Sequence, residues 1–161
     1  MARKKDVLSW GVVLLVLLAI AGAAAYVMWP QLQPHTSLRL GDGVFTARVM
    51  KTQAEREDSL KESRKLRNDQ AVIFVYGSDE KWPATAEGSA SEIDIVWLDK
   101  DKRVVYIVKN APPESVPYET FVPKREARYV VELPGGTVGQ KAVNVGGQAA
   151  FDENHLEGWT K

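Results

Sequence analysis

Two carboxylates set inside apolar strand-like runs, Asp94 and Glu132, are the residues whose type and context could do chemistry. Asp94 lies in Ile93-Asp94-Ile95-Val96-Trp97-Leu98, with Asp99 directly after it, and Glu132 lies in Tyr129-Val130-Val131-Glu132-Leu133. Two carboxyls across a cleft could act as acid and base on a sugar bond, which gives one reading: a carboxylate-based hydrolase of envelope polymers. The same acids could instead face solvent at alternate strand positions, or hydrogen-bond to backbone at a sheet edge. Other catalytic chemistries find no support. The absence of cysteine removes thiol catalysis and zinc sites with Cys ligands. The two histidines, His35 and His155, fall in a spacer and a tail, so a Ser-His-Asp site has no well-placed imidazole. Gly135-Gly136-Thr137-Val138-Gly139-Gln140-Lys141 lacks the glycine spacing of a phosphate loop. Asp99-Lys100-Asp101-Lys102-Arg103 lacks the third ligand and the glycine of a calcium loop, and reads as a solvated turn. No metal and no cofactor is expected.

The elements that must position these acids are mostly β. Thr36 to Leu40 and Val44 to Val49 flank Gly41-Asp42-Gly43, the pattern of a hairpin. Thr52-Gln53-Ala54-Glu55 matches a capping box, predicting a helix that runs to about Leu60. Lys51 to Asp69 is dense in charge and reads as a solvated segment. Ala71 to Tyr76 reads as a buried strand ended by Gly77. Ile93 to Leu98 and Val104 to Val108 form a second hairpin through the 99–103 turn. Ala111-Pro112-Pro113 starts a loop reaching Pro117 or Pro123, because proline cannot donate to a ladder. Ala127 to Leu133 is another strand, closed by Pro134-Gly135-Gly136. A short turn or helix near Thr137 to Ala142 and a last strand near Gln148 to Phe151 complete the pattern.

Ahead of all this, Val7 to Leu38 contains no Asp, Glu, Lys or Arg, and Val7 to Trp29 is almost wholly apolar. A helix needs roughly 20 such residues to cross a bilayer core of about 30 Å. Arg3, Lys4 and Lys5 precede the run and place that end in the cytoplasm. Trp10, Tyr26 and Trp29 suit the two headgroup layers. The expectation is a basic n-region over 1–6, an uncleaved signal-anchor over 7–29, a linker over 30–36, a β domain over 37–151 and a tail over 152–161. The alternative is a signal peptide cut near Ala25, which would release a secreted domain; the apolar run passes that cut, which favours the anchor.

Composition narrows the partners. The chain carries 21 basic and 21 acidic residues, a net charge of zero. No basic face is implied, so nucleic acid is not an expected partner. The chain beyond residue 35 has the length of one compact domain.

From about Leu38 to Phe151 the chain resembles the domain of unknown function 192 family, also catalogued as uncharacterised protein family 0127. The likeness is carried by Ile93-Asp94-Ile95-Val96-Trp97-Leu98-Asp99, Val104-Val105-Tyr106-Ile107, Ala111-Pro112-Pro113 and Ala127-Arg128-Tyr129-Val130-Val131-Glu132-Leu133-Pro134-Gly135-Gly136, with Arg56 and Phe74 at matching positions. The resemblance implies a compact, mostly β, barrel-like domain with one or two short helices, often exported, and no established activity. A family site would involve Asp94 and residues of the preceding loop, which makes Arg56, Asp94 and Trp82 the ligand-binding candidates beside the catalytic candidates Asp94 and Glu132. The chain departs from the pattern at Asp58-Ser59-Leu60, around Gln70-Ala71, and at Trp82-Pro83-Ala84, where family Met and Lys residues are missing.

The expectation is therefore a mainly β (α+β) protein: an N-terminal transmembrane helix followed by a compact barrel-like domain outside the cytoplasmic membrane. Its work would be binding or accessory rather than enzymatic, on a small ligand or an envelope protein partner. The rivals are the hydrolase and a protein-interaction module using residues 51–69.

Overall fold

The computed structural model describes residues 4–28, 35–61, 65–113, 117 and 119–152. The spacer over 30–34, most of the tail with His155, and the flanking Arg3 and Trp29 lie outside them. Two compact units divide the chain, Met1–Gln33 and Pro34–Lys161.

The first unit is one helix, α1 (Lys4–Met28). It is rich in Leu and Ala, which lose little side-chain freedom in a helix, and it ends before Pro30. Its side chains are described over residues 10–24, where Trp10, Val12, Leu14, Leu15, Leu17 and Ile20 are exposed. Among the described residues no helix is long and apolar enough to cross a membrane. The transmembrane signal-anchor expected over 7–29 is thus not supported by the described residues.

In the second unit β1 (His35–Leu40) and β2 (Gly43–Met50) form the expected antiparallel hairpin. His35, expected in a solvated spacer, opens β1 with its side chain exposed. The hairpin turn needs Gly41: its φ is +57°, and a Cβ there would strike the Lys141 carbonyl. α2 (Gln53–Lys61) starts where the capping box places it. The Glu55 amide donates to Thr52 Oγ1 at 3.2 Å, while Glu55 Oε2 accepts from the Thr52 and Lys51 amides at 2.8 and 2.7 Å.

The remaining strands are β3 (Gln70–Glu80), β4 (Ile93–Leu98), β5 (Val104–Ala111) and β6 (Ala127–Pro134), with a single helical turn α3 (Thr137–Gln140) after β6. β3 does not end at Gly77. Between the Val75–Tyr129 and Glu80–Ala127 pairs the chain advances five residues on β3 and two on β6, so an irregularity absorbs the glycine and the strand resumes. Arg128 Nε donates to Asp79 Oδ1 at 2.7 Å and ties this irregularity to β6. The sheet order is β1-β2-β3-β6-β4-β5, with β2 and β3 parallel and the other pairs antiparallel. The expected last strand near 148–151 is present as two isolated bridges, Arg103–Gln148 and Arg39–Ala150. Through them one segment touches both the start of β5 and the edge strand β1.

Strand alternation divides the core between the two faces of the sheet. One face gathers Leu38, Leu40, Phe45, Ile73, Val96, Leu98, Val131 and Leu133, with Val138 of α3 and Phe151. The other gathers Met50, Val72, Phe74, Ile93, Ile95, Trp97 and Val130, covered by half-buried Tyr76, Trp82, Tyr106 and Phe121. Every residue of β4 is buried, as an interior strand covered on both faces must be.

The cap yields a pH-dependent prediction. Burial alone would raise the Glu55 pKa, but its hydrogen bonds to the Thr52 and Lys51 amides outweigh that and hold it below the ordinary glutamate value. A depressed folded pKa stabilises above the unfolded value and loses that contribution as pH falls through the folded one. Glu55→Gln should lower stability at neutral pH by about 1 kcal/mol, as loss of a cap does. Urea unfolding of both proteins across pH 7 to 3 should show the gap closing as the solution turns acidic.

Candidate functional site

Asp94 is fully buried on β4. Its neighbours Ile93 and Ile95 pack into the cluster with Trp97, so its own side chain is directed to the opposite face, alongside Val96 and Leu98. There both carboxyl oxygens are occupied by main chain. Oδ1 accepts from the Asn110 amide at 2.8 Å and Oδ2 from the Val138 amide at 2.7 Å. Asn110 stands at the end of β5 with φ +52°, and Val138 is the second residue of α3. α3 lacks a side-chain cap, because its cap residue is Gly136 in the left-handed region at φ +81°. Asp94 takes over that duty from another strand.

Glu132 is also buried, at 3 % exposure, and lies on the face that Asp94 does not use. Ile95 pairs with Glu132 and Asp94 pairs with Leu133, so the two acids sit on neighbouring strands with side chains on opposite faces. An acid–base pair across a shared cleft cannot be assembled from them. Asp99, the third acid considered, accepts from the Asp101 and Arg103 amides through Oδ1 and shapes the β4–β5 turn.

Arg56 and Trp82 do not meet directly; each contacts Tyr76, a residue that sequence reasoning missed. Tyr76 stacks on Trp82 with ring centroids 4.1 Å apart and planes 11° from parallel. The Arg56 guanidinium lies 4.9 Å from the Tyr76 centroid. Arg56 Nη1 donates to the Lys51 and Val75 carbonyls at 2.6 and 3.3 Å, bridging the start of α2 to β3. Trp82 Nε1 donates to the Ser78 carbonyl at 3.2 Å, and the Trp82 carbonyl accepts from Trp97 Nε1 at 2.8 Å. Burial pushes the Tyr76 hydroxyl above the ordinary tyrosine value; Arg56 opposes this shift and Glu132 adds to it. The signal in the sequence was an aromatic residue closing the 71–76 apolar run directly before Gly77. Asp94, on the other face, takes no part in this group.

An open depression of about 520 Å³ lies elsewhere, lined by charged side chains that include Asp79, Lys81, Asp101 and Arg125. Of the three acids considered for catalysis, Asp94, Glu132 and Asp99, only Asp99 borders it. Among the described residues no three His, Asp or Glu side chains are grouped to hold a metal ion.

Fold and site together define a mainly β domain with short helices whose most buried acid is occupied by main chain. The model of the domain of unknown function 192 family, described as Uncharacterized ACR, matches residues 36–151. The chain belongs to that family. A UPF0127 protein of Pyrococcus abyssi is 34 % identical over 84 residues, covering 50 % of this chain and 68 % of that protein. A UPF0127 protein of Pyrococcus furiosus is 32 % identical over 77 residues, covering 47 % and 62 %. Two crystal structures share the fold at a TM-score of 0.64. One, a candidate transcription regulator from Sinorhizobium meliloti 1021, is 22 % identical and overlaps 73 % of this chain and 92 % of its own. The other, a protein of unknown function from Novosphingobium aromaticivorans, is 19 % identical and overlaps 72 % and 83 %. Identities this low carry the fold alone.

Asp94→Ala would leave two main-chain donors without their acceptor, one of them fully buried. The expected loss of stability is about 3 kcal/mol, since an unsatisfied buried group costs roughly 1–3 kcal/mol. Amide hydrogen exchange should accelerate at Asn110 and Val138 beyond the average of the sheet. Unchanged exchange at those two amides would contradict the structural role given to Asp94.

Proposed function

We propose that this protein is a non-enzymatic binding or accessory domain held by its N-terminal helix at the outer face of the cytoplasmic membrane. The observation that carries the reading is α1. A 25-residue helix has apolar side chains exposed without interruption from Val12 to Leu18, so that every side of it is apolar. A helix apolar all round is stable only where something apolar surrounds it, and a bilayer supplies that. Arg3, Lys4 and Lys5 at its start favour a cytoplasmic N-terminus, which would leave the family domain outside.

The site supports the non-enzymatic half of the reading. Asp94 spends both oxygens on main-chain amides, and Glu132 stands on the other face of the sheet. Hydrolysis of a sugar bond by two carboxyls needs both on one cleft, roughly 5–10 Å apart.

Washing isolated membranes with alkaline carbonate tests the anchoring. The full chain should stay in the pellet. Leu14→Arg combined with Leu17→Arg should move it to the supernatant, each arginine costing about 2.5–3.5 kcal/mol near a helix centre. Wild-type protein recovered in the supernatant would refute the anchor.

A further inference from the structure

We propose that the charged depression seats a phospholipid headgroup bearing both a phosphate and a primary ammonium, phosphoethanolamine, taken from the leaflet at which the domain is held. This rests on the reading of α1 as a membrane anchor and gives the anchored domain a ligand.

All seven residues lining the depression of about 520 Å³ are charged, and the fold itself uses two of the acids. Asp79 Oδ1 accepts from Arg128 Nε at 2.7 Å, and Asp99 Oδ1 accepts from the Asp101 and Arg103 amides. Among the described residues the side chains of Lys81, Lys100, Arg125, Asp101 and Glu126 make no hydrogen bond or ion pair. Three cations and two anions are therefore left over around one concavity. They come from three separate segments: the end of β3, the β4–β5 turn and the approach to β6.

That remainder suits one ligand carrying both signs. Guanidinium and ammonium groups donate to phosphate oxygens, whereas carboxylates only accept and so call for a cation with N–H groups. A purely anionic ligand would bring its charge against Asp101 and Glu126. A sugar or an apolar ring would find no apolar wall, because every lining residue is charged. Quaternary ammonium groups are recognised by aromatic rings, and none lines the depression. Phosphoethanolamine offers a phosphate to the cations and a primary ammonium to the acids.

Strand direction puts the depression at the end of the sheet where the chain enters. β1 starts at His35, opposite Arg48 near the end of β2, and β2 runs parallel to β3. β6 begins opposite the end of β3, with Ala127 against Glu80, and β4 ends against the same part of β6, with Leu98 opposite Tyr129. The start of β1 and the three segments around the depression therefore share one end. Six residues separate Met28 from His35, and fully extended they carry the chain at most about 25 Å. A helix that crosses the bilayer thus keeps the entry end of the domain near the headgroups. Exposed charge pairs contribute little singly, and the tether offsets this by holding the local headgroup concentration high.

The test places the full chain in lipid nanodiscs of phosphatidylglycerol alone, or of phosphatidylglycerol with an equal part of phosphatidylethanolamine or of phosphatidylcholine. The Arg125 Nε–H resonance and amide exchange in the 99–103 turn report on the depression. Phosphatidylethanolamine should shift the resonance and slow the exchange at least threefold, and phosphatidylcholine should do neither. Lys81→Glu with Lys100→Glu, both at exposed positions, should abolish the response in a chain whose unfolding midpoint is unchanged. Asp101→Lys with Glu126→Lys leaves only cations unpaired and should move the response to phosphatidylglycerol alone. Soluble glycerophosphoethanolamine, added to the phosphatidylglycerol discs, separates the two sources of the headgroup. A response to it with none to phosphatidylethanolamine would assign the depression to a free ligand and overturn the lipid site. Equal spectra with phosphatidylethanolamine and phosphatidylcholine, or a full response in the double lysine variant, would also overturn it. Equal spectra from a chain that stays in the carbonate-washed pellet would leave the anchoring intact, whereas a chain in the supernatant removes the anchor and this site with it.

Discussion

One buried carboxyl organises the far end of the domain. Removing an acid from water is costly unless its oxygens are hydrogen-bonded, and Asp94 meets that condition with two amides from separate parts of the chain. One amide ends β5 and the other begins α3, so a single side chain sets how the 134–138 turn leaves the sheet. Everything after that turn inherits its course, including the segment that bridges Arg103 through Gln148 and Arg39 through Ala150. The Pro134-Gly135-Gly136 sequence suits this junction. Gly136 takes a left-handed φ, and a side chain at Gly135 would press on the Glu92 carbonyl, which accepts from the Gly135 amide at 3.0 Å.

The period of two along a strand then decides which residues can cooperate. Asp94 and Glu132 are one register step apart on adjacent strands, close in every sense a sequence pattern can express. Yet each step along a strand reverses the face, and the two acids look into different halves of the core. The cross-sheet face opposite Asp94 is where polar and aromatic groups of distant sequence meet: Arg56 from α2, Tyr76 from β3 and Trp82 from the loop after it.

Local features of the fold were legible in the sequence. β4 begins and ends where its apolar run does, the 41–43 turn joins the first hairpin, and Thr52 with Glu55 caps α2 as their spacing requires. Each depends on residues within a few positions of one another. The insertion of β6 between β3 and β4, and the parallel pairing of β2 with β3, depend on contacts across the whole domain and left no local trace. The end of β3 was misplaced for a related reason. Gly77 reads as a terminator, but pairing with β6 resumes beyond it, and only the partner strand reveals that. The candidate site was half legible. Arg56 and Trp82 were singled out and each packs on Tyr76, whereas Tyr76 itself looked like the last member of a buried strand.

Asp94 and Arg56 illustrate how the same kind of polar residue can end up with opposite roles. Both bond to main chain. Asp94 has two acceptor oxygens, each met by an amide, on a side chain with no exposure, so what acceptor capacity is left is closed to solvent. Arg56 has five N–H donors and commits one nitrogen to two carbonyls, on a side chain that still reaches solvent. What separates a structural polar residue from one able to bind is this remainder: the donors or acceptors left over once the fold has been satisfied, and whether the fold holds them still. By that measure the acid most suggestive of chemistry in the sequence has no accessible remainder, and the arginine that helps to fasten α2 to β3 has the larger one.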